Sequence, residues 1–136
     1  IGEAIVCGTD ATGGRNVPNT LQDTVLLEAE IIEIKDKPSV PYGETGYDAF
    51  GRKHEFIDYG IRKKAILAIG EQDVSSSGMT PLDKNIKVLH SSSDHTIIDI
   101  TDCEENYRVG DIIDFKLSYG ALLRASTSPY VEKIFK

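Results

Sequence analysis

A chain of 136 residues has the size of one ordinary domain and is long enough to bury a core, and its 40% hydrophobic and 27% charged residues argue against disorder or a fibrous repeat. The net charge of −7, relieved only by the short cluster Arg62-Lys63-Lys64, disfavours nucleic acid and anionic lipid as partners. The longest apolar run, Ala65 to Ile69, is far too short to cross a bilayer, and Cys7 and Cys103 lack Cys-x-x-Cys spacing, which points to a soluble protein of a reducing, cytoplasmic compartment.

In chain order, Ile1 to Gly8 opens without methionine and directly in strand-like sequence. Termini are usually polar and frayed, so the expectation is a fragment of a longer polypeptide, with trimming of a few residues as the plainer alternative. Gly8 to Asn19 is rich in Gly, Thr, Asn and Pro and reads as a loop. Val25 to Ile34 alternates, with Leu27, Ala29 and Ile31 on one face, until the phase switches at Ile31-Ile32, as a β-bulge would make it do. Lys37 to Gly46 carries two prolines and is neither helix nor central strand, but a long loop of the kind that tends to carry function. Ala65 to Ile69 is a continuous apolar run and reads as a strand covered on both faces. Ile86-Lys87-Val88, Ile98-Asp99-Ile100 and Ile113 to Leu117 alternate at period two, the last launched by the turn Val109-Gly110-Asp111. Tyr130 to Phe135 is expected to add a final strand, and only Gly120 to Ala125 has local helix propensity, for a turn or two. Six or seven short strands predict an all-β domain, a small barrel or sandwich-like fold with one short helical turn.

Few constellations carry chemistry on their own. His54, His90 and His95 fit no zinc spacing and no cysteine joins them, so no metal site is expected. The Gly8 to Arg15 loop lacks the ending of a P-loop. Ser93-Asp94-His95 offers a hydroxyl, a carboxylate and an imidazole, but adjacent strand residues point to opposite faces and cannot form a relay among themselves. A binding role, or a strand-entry turn in which Asp94 bonds nearby backbone N–H groups, fits better. Glu44, Asp48, Glu71 and Asp73 would form a negative mouth for an amine-bearing ligand if the fold gathers them; otherwise each is an ordinary solvated acid.

Read as a whole, the sequence resembles the C-terminal β domain of fold-type III pyridoxal-phosphate amino-acid racemases, above all the alanine/ornithine racemase group. The resemblance covers essentially the entire chain. It is carried by Ile1-Gly2-Glu3-Ala4, Leu27-Glu28-Ala29-Glu30-Ile31-Ile32, Pro38-Ser39-Val40-Pro41 with Gly46-Tyr47-Asp48-Ala49-Phe50-Gly51, Gly60-Ile61-Arg62-Lys63-Lys64-Ala65, Ser93-Asp94-His95, and Tyr119-Gly120-Ala121-Leu122-Leu123-Arg124 through Ser128-Pro129-Tyr130-Val131. It implies that residues 1–8 are the remnant of the last strand of a missing N-terminal (β/α)8 barrel, and that residues 9–136 are the C-terminal β domain. The barrel would hold pyridoxal phosphate through its own lysine, so this piece alone is expected to be inactive. Gly2 and Glu3 match backbone positions near the cofactor phosphate, and Tyr130 lies in a segment resembling one with a phosphate-contacting tyrosine.

Racemisation takes the α-proton from one face and returns one to the other, which calls for an acid/base group on each side. In alanine racemases one is the lysine and the other is the tyrosine of a Gly-Tyr-x-Asp-Gly-Tyr motif, supplied by the β domain of the partner in a homodimer. The equivalent stretch here resembles Gly70-Glu71-Gln72-Asp73-Val74, so Glu71 stands where the tyrosine would. That departure implies a substrate with a distal ammonium, such as ornithine or another basic amino acid, paired by Glu71, Asp73 or Asp48; alternatively Glu71 is the second base. Ser93-Asp94 matches the family's pair whose backbone N–H helps hold the substrate carboxylate. Two other readings stay open: a related pyridoxal-phosphate decarboxylase, weakened by the lack of a Cys-x-x-Asp segment, and a free-standing β-barrel binding or scaffold module.

Overall fold

The computed structural model describes residues 2–10, 12, 14–43, 46, 47, 51, 55 and 57–136. Among them, six strands form one antiparallel sheet: β1 (Leu26–Pro38), β2 (Ile61–Leu67), β3 (Met79–Pro81), β4 (Lys87–Ser91), β5 (Thr96–Asp99) and β6 (Ile112–Leu117). Their order is β3-β6-β1-β2-β5-β4, and the edge strands β3 and β4 approach one another, so the sheet curls into a nearly closed barrel. Two helices, α1 (Gly2–Val6) and α2 (Tyr119–Thr127), and a 3-10 turn at Ser76–Gly78 complete the described elements.

The long strand β1 is the spine, because its first half pairs with β6 from Leu26–Lys116 to Glu30–Ile112 while its second half pairs with β2 from Ile31–Leu67 to Pro38–Ile61. The expected bulge is present, since the register shifts between Ile31 and Glu33. Ahead of it Leu27, Ala29 and Ile31 are buried, and beyond it the half-buried Ile34 takes up the opposite phase. The bulge is held by the 108–111 turn: the Gly110 N–H donates to Ile31 O at 2.8 Å and the Ile31 N–H donates to Asp111 O at 2.9 Å. Gly110 takes a φ of +95°, which a side chain would strain. Inside the barrel Phe115, Ile31, Leu67, Ile98 and Val74 are fully buried, together with Thr96. The Thr96 hydroxyl is satisfied by Ile69 O at 2.7 Å and Ser91 Oγ at 2.8 Å, so its burial leaves no polar atom unpaired.

Three expectations are corrected. Residues 65–69 are covered on one face rather than two: Ala65, Leu67 and Ile69 are buried, Ile66 is half-buried and Ala68 is exposed, as in a barrel stave. Residues 2–6 form the helix α1 rather than a strand, because no strand pairs with them among the described residues and the chain bonds to itself, the Cys7 N–H donating to Glu3 O at 2.7 Å. Tyr130 to Phe135 is irregular; Val131 packs against the core, whereas residues 132–136 are exposed and pair with no strand. Among the described residues the loop reading holds at 8–19, where an isolated bridge joins Thr9 and Asn16, and at Ser39 to Gly43 and Gly46, but Lys37 and Pro38 extend β1 against Arg62 and Ile61; just beyond, the Ser39 N–H donates to Gly60 O at 2.8 Å.

The helix α2 is longer than the predicted turn or two. Ser118 caps it, its hydroxyl accepting the Ala121 N–H at 3.3 Å, and the small residues Ala121 and Ala125 form its buried face. That face seats on the 3-10 turn so closely that a Cβ on Gly78 would lie 2.3 Å from Ser118 Oγ and 2.7 Å from Ala121 Cβ. The seating brings the last turn of α2 onto the loop that follows β2.

Candidate functional site

Two loops meet at one rim of the barrel. After Ile69 the chain turns at Gly70 to Val74, and after β4 it turns again at Ser92 to His95. The Glu71 N–H donates to Ser92 O at 2.9 Å and the Gln72 N–H donates to Ser93 O at 2.8 Å, so the loops are joined along their backbones. The approach needs a glycine: a Cβ on Gly70 would lie 2.5 Å from the backbone nitrogens of Asp94 and His95. Two segments singled out separately in the sequence, around Glu71 and around Ser93-Asp94, thus form one surface.

Glu71 is fixed from two sides. Its Oε1 accepts the Ser76 N–H at 3.3 Å and a short bond from the Ser76 hydroxyl, and its Oε2 faces the Arg124 guanidinium at 3.7 Å. Only 12% of the Glu71 side chain is exposed, whereas Arg124 is about half exposed at 47%. Both hydrogen bonds fall on Oε1, and Arg124 at 3.7 Å is an ion pair rather than a hydrogen bond, so Oε2 keeps acceptor positions for a further donor. Asp94 stands in the open. The Ser93 hydroxyl at 2.9 Å holds its carboxyl below the usual carboxylate range, opposed by desolvation and aided by the charge of His95, whose Nδ1 lies 3.6 Å away, and by Ser92. Ser92 also caps the turn, the His95 N–H donating to Ser92 Oγ at 3.2 Å. Beside Ser76 a cleft of about 340 Å³ opens between the 3-10 turn and β4, with Met79 and Val88 in its apolar lining and Ser77 and Ser91 at its polar side.

The chain is 54% identical over all 136 of its residues to lysine racemase of Thermotoga maritima, and 47% identical over 133 residues, 98% of the chain, to ornithine racemase of Acetoanaerobium sticklandii. It spans 38% of the length of each of these relatives. No protein-family model matches it. The chain is a domain of the lysine and ornithine racemase family.

In this racemase domain the residues expected at the site fall into distinct groups. Glu71, Ser93 and Asp94 share the two-loop surface. Asp73 belongs to the same loop but turns inward: it is 5% exposed and accepts the hydroxyl of the equally buried Ser128 at 2.6 Å, which occupies it with holding the loop. Tyr130 follows on the same segment, its N–H donating to Ser128 Oγ at 3.1 Å and its ring exposed. Gly2 and Glu3 lie in the first turn of α1, where a Cβ on Gly2 would meet nothing and the Glu3 carboxylate accepts from the Thr9 hydroxyl at 3.2 Å. Asp48, Glu44 and His54 lie outside the described residues.

Reading by pattern missed the groups that grip Glu71 and its loop: Ser76, Arg124 and Ser128. Arg124 and Ser128 sit four apart at the end of α2, on one helical face, and reach Glu71 and Asp73 respectively. The only available signal was that both fall in the segments that carry the family resemblance.

Proposed function

We propose that this chain is the C-terminal β domain of a pyridoxal-phosphate-dependent racemase of basic amino acids, interconverting the L and D forms of lysine or ornithine. Residues 1–8 then lead out of a preceding barrel and residues 9–136 form the β domain, in a cytoplasmic homodimer. The observation that carries the reading is the junction of the 70–74 loop with the 92–95 turn, which joins the backbones of the segments that carry Glu71 and Ser93-Asp94. The names of the two relatives, a lysine and an ornithine racemase, agree with it, since both substrates carry a distal ammonium. In the described chain no helix is long and apolar enough to cross a membrane.

The donor chemistry of the chain fits the edge of a cofactor phosphate rather than a complete cradle: Tyr130 offers an exposed hydroxyl, and the open space at Gly2 lets a ligand approach the backbone of Gly2 and Glu3. These three residues would hold the phosphate of pyridoxal phosphate, and the cofactor, when bound, supplies the electron sink that makes the α-proton removable. The carboxylates do other work. Glu71, with Oε2 free of hydrogen bonds within the described contacts, binds the distal ammonium in place. The basic substrates for which both relatives are named favour this role over that of second base. Asp73 fixes the loop, and the Ser93-Asp94 pair holds the substrate carboxylate through backbone N–H rather than through the Asp94 side chain.

The test is to express the complete enzyme containing this chain, add pyridoxal phosphate, and follow loss of optical rotation with L-lysine, L-ornithine and L-alanine. Turnover of lysine or ornithine in preference to alanine is expected, and E71Q should raise KM for the basic substrates at least about tenfold, the scale of a lost charge-assisted bond. Turnover of neither basic amino acid removes the proposal. Release of carbon dioxide in place of racemisation would assign a decarboxylase.

A further inference from the structure

We infer that Arg124 is a specificity-determining residue that tempers the affinity of the site for the substrate's distal ammonium. The inference rests on the ammonium role proposed for Glu71 and deepens it. Glu71 is held in place chiefly by Ser76, which bonds Oε1 through both its N–H and its hydroxyl. Arg124 adds something different. Its Nη1 lies 3.7 Å from Oε2, beyond hydrogen-bond distance but well inside ion-pair range, and its side chain is half exposed, so it contributes charge more than geometry. A guanidinium there is also a like charge to any ammonium that comes to Oε2. The site therefore recognises a cation next to a resident cation. Affinity is lowered, and release of a product that carries the same ammonium as its substrate is eased.

The arrangement is built rather than accidental. Arg124 is set by the seating of α2 through its buried Ala121 and Ala125 and, four residues on, by the bond from Ser128 to the buried Asp73, which ties the same helix end to the same loop. Loss of the Arg124 charge consequently leaves the loop anchored by Ser76 on one side and Ser128 on the other, and the carboxylate keeps its place while its field is unmasked.

The experiment uses the complete holoenzyme and the variants R124Q and R124K. Binding of 1,5-diaminopentane, a diamine without an α-carboxylate, is measured by calorimetry, and KM for L-lysine is measured separately. Because Arg124 is half exposed and its charge is screened, R124Q should bind the diamine only about two- to fivefold more tightly, with KM for lysine falling in parallel, and the gain should shrink as salt is raised. R124K, which keeps the charge, should restore the wild-type values. Equal or weaker diamine binding in R124Q, or a tightening shared by R124K, overturns the inference, since a residue that merely positions Glu71 would weaken binding when removed. A wild-type enzyme that neither racemises lysine or ornithine nor binds the diamine instead sinks the ammonium reading itself. Melting temperatures of both variants, expected near wild type, show that the loop has stayed in place.

Discussion

Gly70→Ala isolates the contact on which the site depends. Gly70 is not among the positive-φ glycines, so the cost of a side chain there is one of space. The added methyl would start 2.5 Å from two backbone nitrogens and 2.6 Å from the Asp94 carbonyl carbon, against ordinary contact beginning near 3.4 Å. Backbone atoms cannot rotate aside, so the loops must part by about 1 Å, enough to break the Glu71 to Ser92 and Gln72 to Ser93 bonds. Two such bonds contribute about 1–3 kcal/mol together. The opposing gain, from a less flexible unfolded chain, is only about 0.4–1 kcal/mol. At mid-range values destabilisation wins by about 1.3 kcal/mol, which for a domain of this size should lower Tm by roughly 4–6 °C. Circular dichroism melts of wild type and G70A measure this directly. Gly120→Ala is the control, because a Cβ there meets nothing and lies in the helix α2, where alanine should raise Tm slightly. A G70A protein that melts at or above wild type would refute the close approach and with it the joining of the two loops.

Other consequences can be checked in the same way. Ser128→Ala leaves the buried Asp73 carboxylate without the hydroxyl that bonds it and should cost about 1–3 kcal/mol in urea denaturation. For Asp99, burial pushes the carboxyl up, but bonds from Arg62 at 2.8 Å and from Thr101 outweigh it and hold it below the usual range. A folded-state value below the unfolded one means that this contribution is fully present above about pH 4 and is lost as pH falls below it; Arg62→Ala should lower stability at pH 6 and flatten the loss between pH 4 and pH 2. Burial, with the nearby Asp83 charge, pushes the Cys103 thiol up to about 11 from 9.0, so its thiolate at pH 8 should be about a hundredfold scarcer than in an unperturbed thiol, and alkylation followed by mass spectrometry should be slower to match.

Period-two alternation made most of the sheet legible, because an antiparallel barrel buries one face of every strand and Leu27, Ala29 and Ile31 or Ile113 and Phe115 write that face into the sequence. The bulge was legible for the same reason, as a break in phase. Met79–Pro81 was missed, since three residues carry no period and the strand exists only through its pairing with β6. The apolar run 65–69 misled, as Ala68 is small enough to stand in solvent without marking its face as polar. At the site, Glu71 was found by resemblance, but its companions could not be read from local pattern: Ser128 reaches Asp73 from 55 positions away, and that contact is set by how α2 seats on the 3-10 turn. The inward turn of Asp73 was invisible for the same reason.

The division of β1 between two partners has a bearing on how the domain is made. Residues 31–38 find their mates at 61–67, soon after them in the chain, but residues 26–30 must wait for 112–116. On a ribosome the first half of the spine therefore emerges with one edge unsatisfied and stays so through most of synthesis, a state open to pairing with a neighbouring nascent chain. Closure is a late, long-range event, and such topologies fold on the scale of milliseconds to seconds, roughly, rather than microseconds. A truncation before Ile112 should leave an aggregation-prone intermediate rather than a smaller barrel.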